Sequence, residues 1–130
     1  MIPADKLLTE FLVALCIWRE SRGQPFEGQR AVGHVIRNRV SDSRWPDTYR
    51  GVVLQPKQFS CFNADDPQVT KYPEFNDSWI DAVAAARLAM SSLTDPTGGA
   101  NHYHTRSVEP SWADRTKVTA RIGDHIFYKL

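Results

Sequence analysis

The sequence predicts an α+β domain, mainly helical, with a small antiparallel sheet near the C-terminus. Apolar residues recur at spacings of three and four as far as Leu93, the period of helices with one buried face. Pro96, Gly98 and Gly99 then break that pattern. Beyond them lie short alternating runs, two of which are joined by Gly123-Asp124, a two-residue loop of the kind that closes a hairpin. At 130 residues the chain has room for one core, and therefore for one domain.

Taken in order, Leu8, Leu12 and Cys16 stand four apart with Phe11 and Leu15 beside them, which predicts an amphipathic helix over about 6–22 with Asp5 as its cap. Gly23 and Pro25 close it. Pro25 is also admissible in a first turn, and Gly28, Val32, Ile36 and Val40, widened by Ala31 and Val35, predict a second helix over 25–40. Arg30, Arg37 and Arg39 fall elsewhere on it and are expected in solvent. Turn chemistry follows, and Asp47 is expected to cap a short helix over 49–54. From 55 to 76 the pattern is irregular, broken by Pro56, Pro67 and Pro73, with Gln58-Phe59-Ser60-Cys61-Phe62 reading as a short extended segment. A loop this long suits one wall of a binding cleft. Asn76 or Asp77 caps a fourth helix through Trp79, Val83, Ala86, Met90 and Leu93, whose alanines at 82, 84, 85 and 89 suit a central packing helix. Residues 101–105 alternate as a strand, and 118–122 with 125–128 form the hairpin.

Net charge is +1 with acids and bases intermixed, so no basic stripe argues for nucleic acid. No apolar run is long enough to span a bilayer, and the N-terminus lacks a secretory pattern. The expectation is synthesis in the cytoplasm without a signal peptide and without stable membrane insertion. Cys16 and Cys61 read as reduced packing residues. The four tryptophans suit a core and also the flat faces on which sugars stack.

Glu20 is the residue that needs a reason. It is the next step of the row Leu8, Leu12, Cys16, so its carboxyl is expected at the core's edge, where loss of water raises a carboxyl pKa toward that of a general acid working near neutral pH. A helix end beside a turn leaves it within reach of a substrate. Solvation, or pairing with Arg19 or Arg22, is the competing role.

Glu20-Ser21-Arg22-Gly23-Gln24-Pro25, then Glu27-Gly28-Gln29-Arg30-Ala31-Val32 and Asn38-Arg39-Val40, resemble the cell wall hydrolase family typified by the spore cortex-lytic enzyme. Trp45-Pro46, Gly51-Val52-Val53, Gln58-Phe59-Ser60 and Gly123-Asp124-His125-Ile126-Phe127 extend the likeness over about 7–128. The resemblance implies a domain like the lysozymes and lytic transglycosylases, acting on peptidoglycan glycan strands at the β-1,4 bond between N-acetylmuramic acid and N-acetylglucosamine. Its acid maps onto Glu20. No cofactor or metal is implied, and a monomer is expected. Small size and the missing export signal look more like a bacteriophage or prophage lysis enzyme, an endolysin, which implies a holin-type partner for release to the wall.

Transglycosylation needs one carboxyl group, whereas hydrolysis by a carboxylate pair would draw a second from the middle loop, where Asp65 and Asp66 are nearest in kind. Gln58 and Ser60 are expected to present an amide and a hydroxyl to a sugar with Phe59 packing behind. Tyr103 is expected to orient Glu20 or line the cleft, and His104 with His102 to line the glycan groove or sit at its edge. Two further functions compete. His102 and His104, two apart on a strand, with His34, His125 or a carboxylate, would suit a zinc-dependent amidase or peptidase, although no His-Glu-x-x-His helix is present. A non-catalytic glycan-binding module would need no acid at Glu20.

Overall fold

A computed structural model gives the structure of the chain and describes residues 3–56 and 58–130. Four helices, α1 (Ala4–Ser21), α2 (Phe26–Val40), α3 (Tyr49–Val53) and α4 (Asp77–Ser91), precede three strands, β1 (His102–Thr105), β2 (Val118–Ile122) and β3 (His125–Tyr128). The strands form one antiparallel sheet in the order β1-β3-β2, with Tyr103 opposite Phe127 and a bulge in β2 between Val118 and Ala120. This is the predicted α+β architecture.

The second half of α1 is the centre of the molecule. Residues 13–19 are all buried, so this stretch is enclosed on every side rather than along one stripe. The predicted stripe extends too far toward the N-terminus: Leu8 is 68% exposed and Phe11 53% exposed. α4 is the packing helix expected: it lies on both α1 and α2 through Ala82, Ala85, Ala86 and Ala89, and leaves Ile80 and Leu88 outside. Its alanines do allow the close approach, because a Cβ built on Gly33 of α2 would stand 2.7 Å from the Ala89 Cβ. Leu93 lies beyond the helix and is fully exposed.

Two of the expected caps move by one or more residues. Pro3 occupies the N-cap of α1 while Asp5 lies in its first turn, and Thr48 rather than Asp47 caps α3 by accepting from Gly51 N at 3.0 Å. Asn76 caps α4 as expected. The segment expected to be extended at 58–62 is instead a 3-10 turn at Ser60–Phe62, followed by a second at Pro67–Thr70 that Asp66 caps by accepting from Gln68 N at 2.8 Å. Phe59 and Cys61 both turn inward, which the tight turn achieves without a partner strand.

The tip of the β2–β3 hairpin meets the turn that follows α1. Gly123 adopts φ +57°, and a side chain there would strike Gln24 Oε1 at 2.6 Å. Gln24 clamps the tip from both sides: its Oε1 accepts from Asp124 N at 2.9 Å and its Nε2 donates to Asp124 Oδ2 at 3.2 Å. The turn leaving Glu20 is thereby fixed to the sheet.

Candidate active site

Glu20 lies in the last turn of α1, half-buried. Burial raises its pKa above the ordinary glutamate value, and the negative charge of Asp66 adds to the rise. The Cys61 thiol and backbone N–H, which face the carboxyl, pull in the opposite direction but do not cancel the burial. The result is the tuning expected of a proton donor.

Tyr103 faces the same place from β1. It is in contact with both halves of the core, its ring tilted against His125 at 4.9 Å and Phe127 at 5.7 Å between ring centroids. Burial, followed by the nearby Glu20 charge, holds its phenol well above the usual range, so the hydroxyl stays protonated beside Glu20.

Two buried arginines build the walls. Arg19, 7% exposed, donates through Nε to the Lys71 carbonyl (3.2 Å), through Nη1 to that of Cys61 (3.3 Å) and through Nη2 to that of Val69 (3.1 Å). Arg39 is buried as well, a correction to its expected place in solvent; it donates to the Asn101 carbonyl at 2.8 Å and to Gln58 Oε1 at 3.2 Å, and its guanidinium stacks on Trp45 and Phe59. One arginine holds the middle loop to α1, the other holds the loop and the start of β1 to α2. Sequence periodicity carried the signal for both, since Arg19 continues the row Phe11, Leu15 and Arg39 continues Ala31, Val35. Neither was read that way because buried arginines are rare.

Of the other expected site residues, Gln58 and Ser60 are exposed on the loop wall, with the Gln58 carbonyl oxygen engaged by Arg39. Phe59 packs inward behind them at 3% exposure. His104 is a different case. Side chains alternate across a strand, so His104 lies on the face of β1 opposite Tyr103. It is buried there, with Nδ1 at 2.7 Å from the Thr105 carbonyl and Nε2 at 2.7 Å from the Tyr128 hydroxyl, under Trp112. The structure therefore makes it a packing residue of the sheet and not a lining residue of a groove at Glu20.

His102 shares that face, as expected, but Nδ1 meets Asn101 Oδ1 at 2.8 Å and burial, reinforced by Arg39 and Arg44, pushes its pKa down to about 4. His34 is enclosed in α2 beside Arg30 and Asp95, and His125 packs against Tyr103. Among the described residues no group of three His, Cys, Asp or Glu side chains is placed to hold a metal ion. Of the two middle-loop carboxylates, Asp66 is the one whose charge reaches Glu20, and one of its oxygens is already engaged as a cap. One surface cavity of about 460 Å³, lined by Asn38, Ser41, Arg44 and Lys129 among others, touches neither Glu20 nor Asp66.

Comparison with known proteins gives the family. A family described as Cell Wall Hydrolase matches residues 23–128, beginning just after Glu20. The spore cortex-lytic enzyme of Oceanobacillus iheyensis is 36% identical over 119 residues, covering 91% of this chain and 40% of that protein. That of Bacillus cereus is 33% identical, covering 91% and 43%. The chain thus spans about two fifths of the length of these curated relatives. Two solved structures cover it as a unit: the catalytic domain of the Bacillus cereus SleB protein, with a TM-score of 0.77 at 34% identity over 93% of this chain and 89% of that one, and the catalytic domain of the germination-specific lytic transglycosylase SleB from Bacillus anthracis, with a TM-score of 0.78 at 32% identity over 98% and 100%. Helices, terminal sheet and sequence match all coincide over the region that carries Gln24, Arg39, Tyr103 and the hairpin tip, and on that ground the chain belongs to the cell wall hydrolase family.

Proposed function

We propose that this domain cleaves the β-1,4 bond between N-acetylmuramic acid and N-acetylglucosamine in peptidoglycan by lytic transglycosylation, with Glu20 as acid and then base. One observation carries the reading: a half-buried carboxyl of raised pKa sits at the end of the central helix, in a chain that spans the whole solved catalytic domain of a lytic transglycosylase. Protonated Glu20 donates to the glycosidic oxygen as the C1–O4 bond breaks. The carboxylate left behind takes the proton of the muramic acid C6 hydroxyl as O6 bonds to C1, which closes a 1,6-anhydro ring and returns Glu20 to its starting state. No second carboxylate is consumed in this sequence. Tyr103, kept protonated near Glu20, orients it or lines the cleft.

A hydrolytic outcome is favoured by one feature alone, the charge of Asp66 acting on Glu20. Mass spectrometry of muropeptides released from purified sacculi separates the readings. Products lighter by one water support transglycosylation; free reducing ends replace it with a muramidase in which Asp66 takes part; cut stems on intact glycan replace both with an amidase. Digestion lost to a chelator and restored by zinc would sink the metal-independent route. Acting as a monomeric lysis enzyme, released to the wall by a holin-type partner, belongs to the same proposal.

A further inference from the structure

We propose that Tyr72 is a stacking platform for one sugar ring of the glycan strand, forming a subsite beside Glu20 on the side of the middle loop. The inference rests on the peptidoglycan reading above.

Tyr72 follows the second 3-10 turn and is 72% exposed, an unusual state for a large aromatic ring. Its ring is nevertheless held. The Arg19 guanidinium lies 5.3 Å from its centroid and 5.1 Å from that of Phe62, so Arg19 fills the space between two aromatic faces. Arg19 is itself fixed by the three backbone carbonyls it engages, one of which belongs to Lys71, the residue before Tyr72. A cation in this position has its N–H donors satisfied in the ring plane and its faces left for aromatics.

The consequence is a ring with one side anchored and the other in solvent. Aromatic faces carry partial negative charge and attract the weakly positive C–H edges of a neighbouring group, as one face of a pyranose supplies. A tyrosine has two side-chain torsions to fix, and an anchored one has already lost most of that freedom, so little ordering cost remains for the ligand to meet.

Position relates the ring to the chemistry. Arg19 directly precedes Glu20, with Cα atoms about 3.8 Å apart. The Cys61 carbonyl that Arg19 holds belongs to the residue whose N–H and thiol face the Glu20 carboxyl. Arg19 therefore ties the loop segment that carries Tyr72 to the helix turn that carries Glu20, and a strand crossing both lays a sugar on Tyr72.

The experiment uses the full chain with Glu20→Gln to stop turnover, and measures binding to purified sacculi and to soluble glycan strands. Tyr72→Ala should weaken binding on the order of ten-fold with a nearly unchanged melting temperature. In the cleaving enzyme the same change should raise KM by a similar factor and leave kcat nearly unaltered. Tyr72→Phe and Tyr72→Trp should retain binding, and the tryptophan's emission should shift on adding glycan strands. Equal binding and KM for Tyr72→Ala and its parent would overturn the platform, as would a loss in Tyr72→Phe as large as in Tyr72→Ala, since that would assign the role to the hydroxyl. If the parent neither binds nor cleaves sacculi, the peptidoglycan reading fails first, and the platform with it.

Discussion

Arg19 Nη1 donates to the Cys61 carbonyl at 3.3 Å, while the thiol and N–H of the same Cys61 face Glu20. Two consecutive residues of α1 thus address one loop residue, the first holding it in place and the second using it as surroundings for a proton. Energetic consequences for the loop and the acid can be separated by mutation.

Arg19→Met should strip three carbonyls of their donor while keeping much of the apolar bulk. Bonds from a charged group are worth more than neutral ones, and of the carbonyls left behind that of Cys61 is buried and the other two partly so, so destabilisation of about 2–4 kcal/mol is expected. Denaturant melts will measure it, and limited proteolysis should cut within 58–72 before other sites.

Glu20→Gln should fold normally and lose roughly 3 to 5 orders of magnitude in the rate of sacculus clearance. Undiminished clearance would remove Glu20 from the chemistry altogether.

The raised pKa also has a sign in stability. Between the unfolded value near 4.3 and the higher folded value, the native protein binds the proton more tightly than the unfolded chain, so stability falls as pH rises through that window. Glu20→Gln has no such proton to lose. Its melting temperature relative to the parent should therefore improve as pH is raised through the window and hold that advantage at neutral pH.

Activity should follow the same proton. The donor form is lost as pH rises through the folded pKa, so the basic limb of the kcat/KM profile is expected above the ordinary carboxylate range. Cys61→Ala removes a thiol that favours the charged form, and that limb should move to still higher pH. A limb that stays put would show that the thiol does not act on Glu20.

Gly33→Ala tests the helix packing. The added methyl would meet the Ala89 Cβ at 2.7 Å and the Ile17 Cδ1 at 3.3 Å, so α4 has to shift, at a cost of about 1–3 kcal/mol. Thermal melts of the variant against the parent give the value.

The helices, the hairpin and the place of Glu20 were legible because each depends on local spacing or turn chemistry. Leu8 and Phe11 were misplaced because a period says which residues share a face and not where the core stops. Gln58 to Phe62 alternates in polarity, yet a 3-10 turn hides Phe59 and Cys61 as well as a strand would. His104 fell on the far face of β1, where Tyr128 and Trp112 cover it; that depends on a pairing made across the sheet. Tyr72 gave no signal, since the exposed ring means little until Arg19 is seen beneath it.

In the sheet order β1-β3-β2, the strand latest in sequence lies in the middle, with all four of its residues buried. A nascent chain leaving the ribosome can therefore assemble its helices early, but the sheet has no template until residues 125–128 emerge. Tyr103, whose partner across the ladder is Phe127, waits unsupported until then. Premature termination a few codons short of that strand would leave the helices assembled and the Tyr103 phenol without the strand that places it.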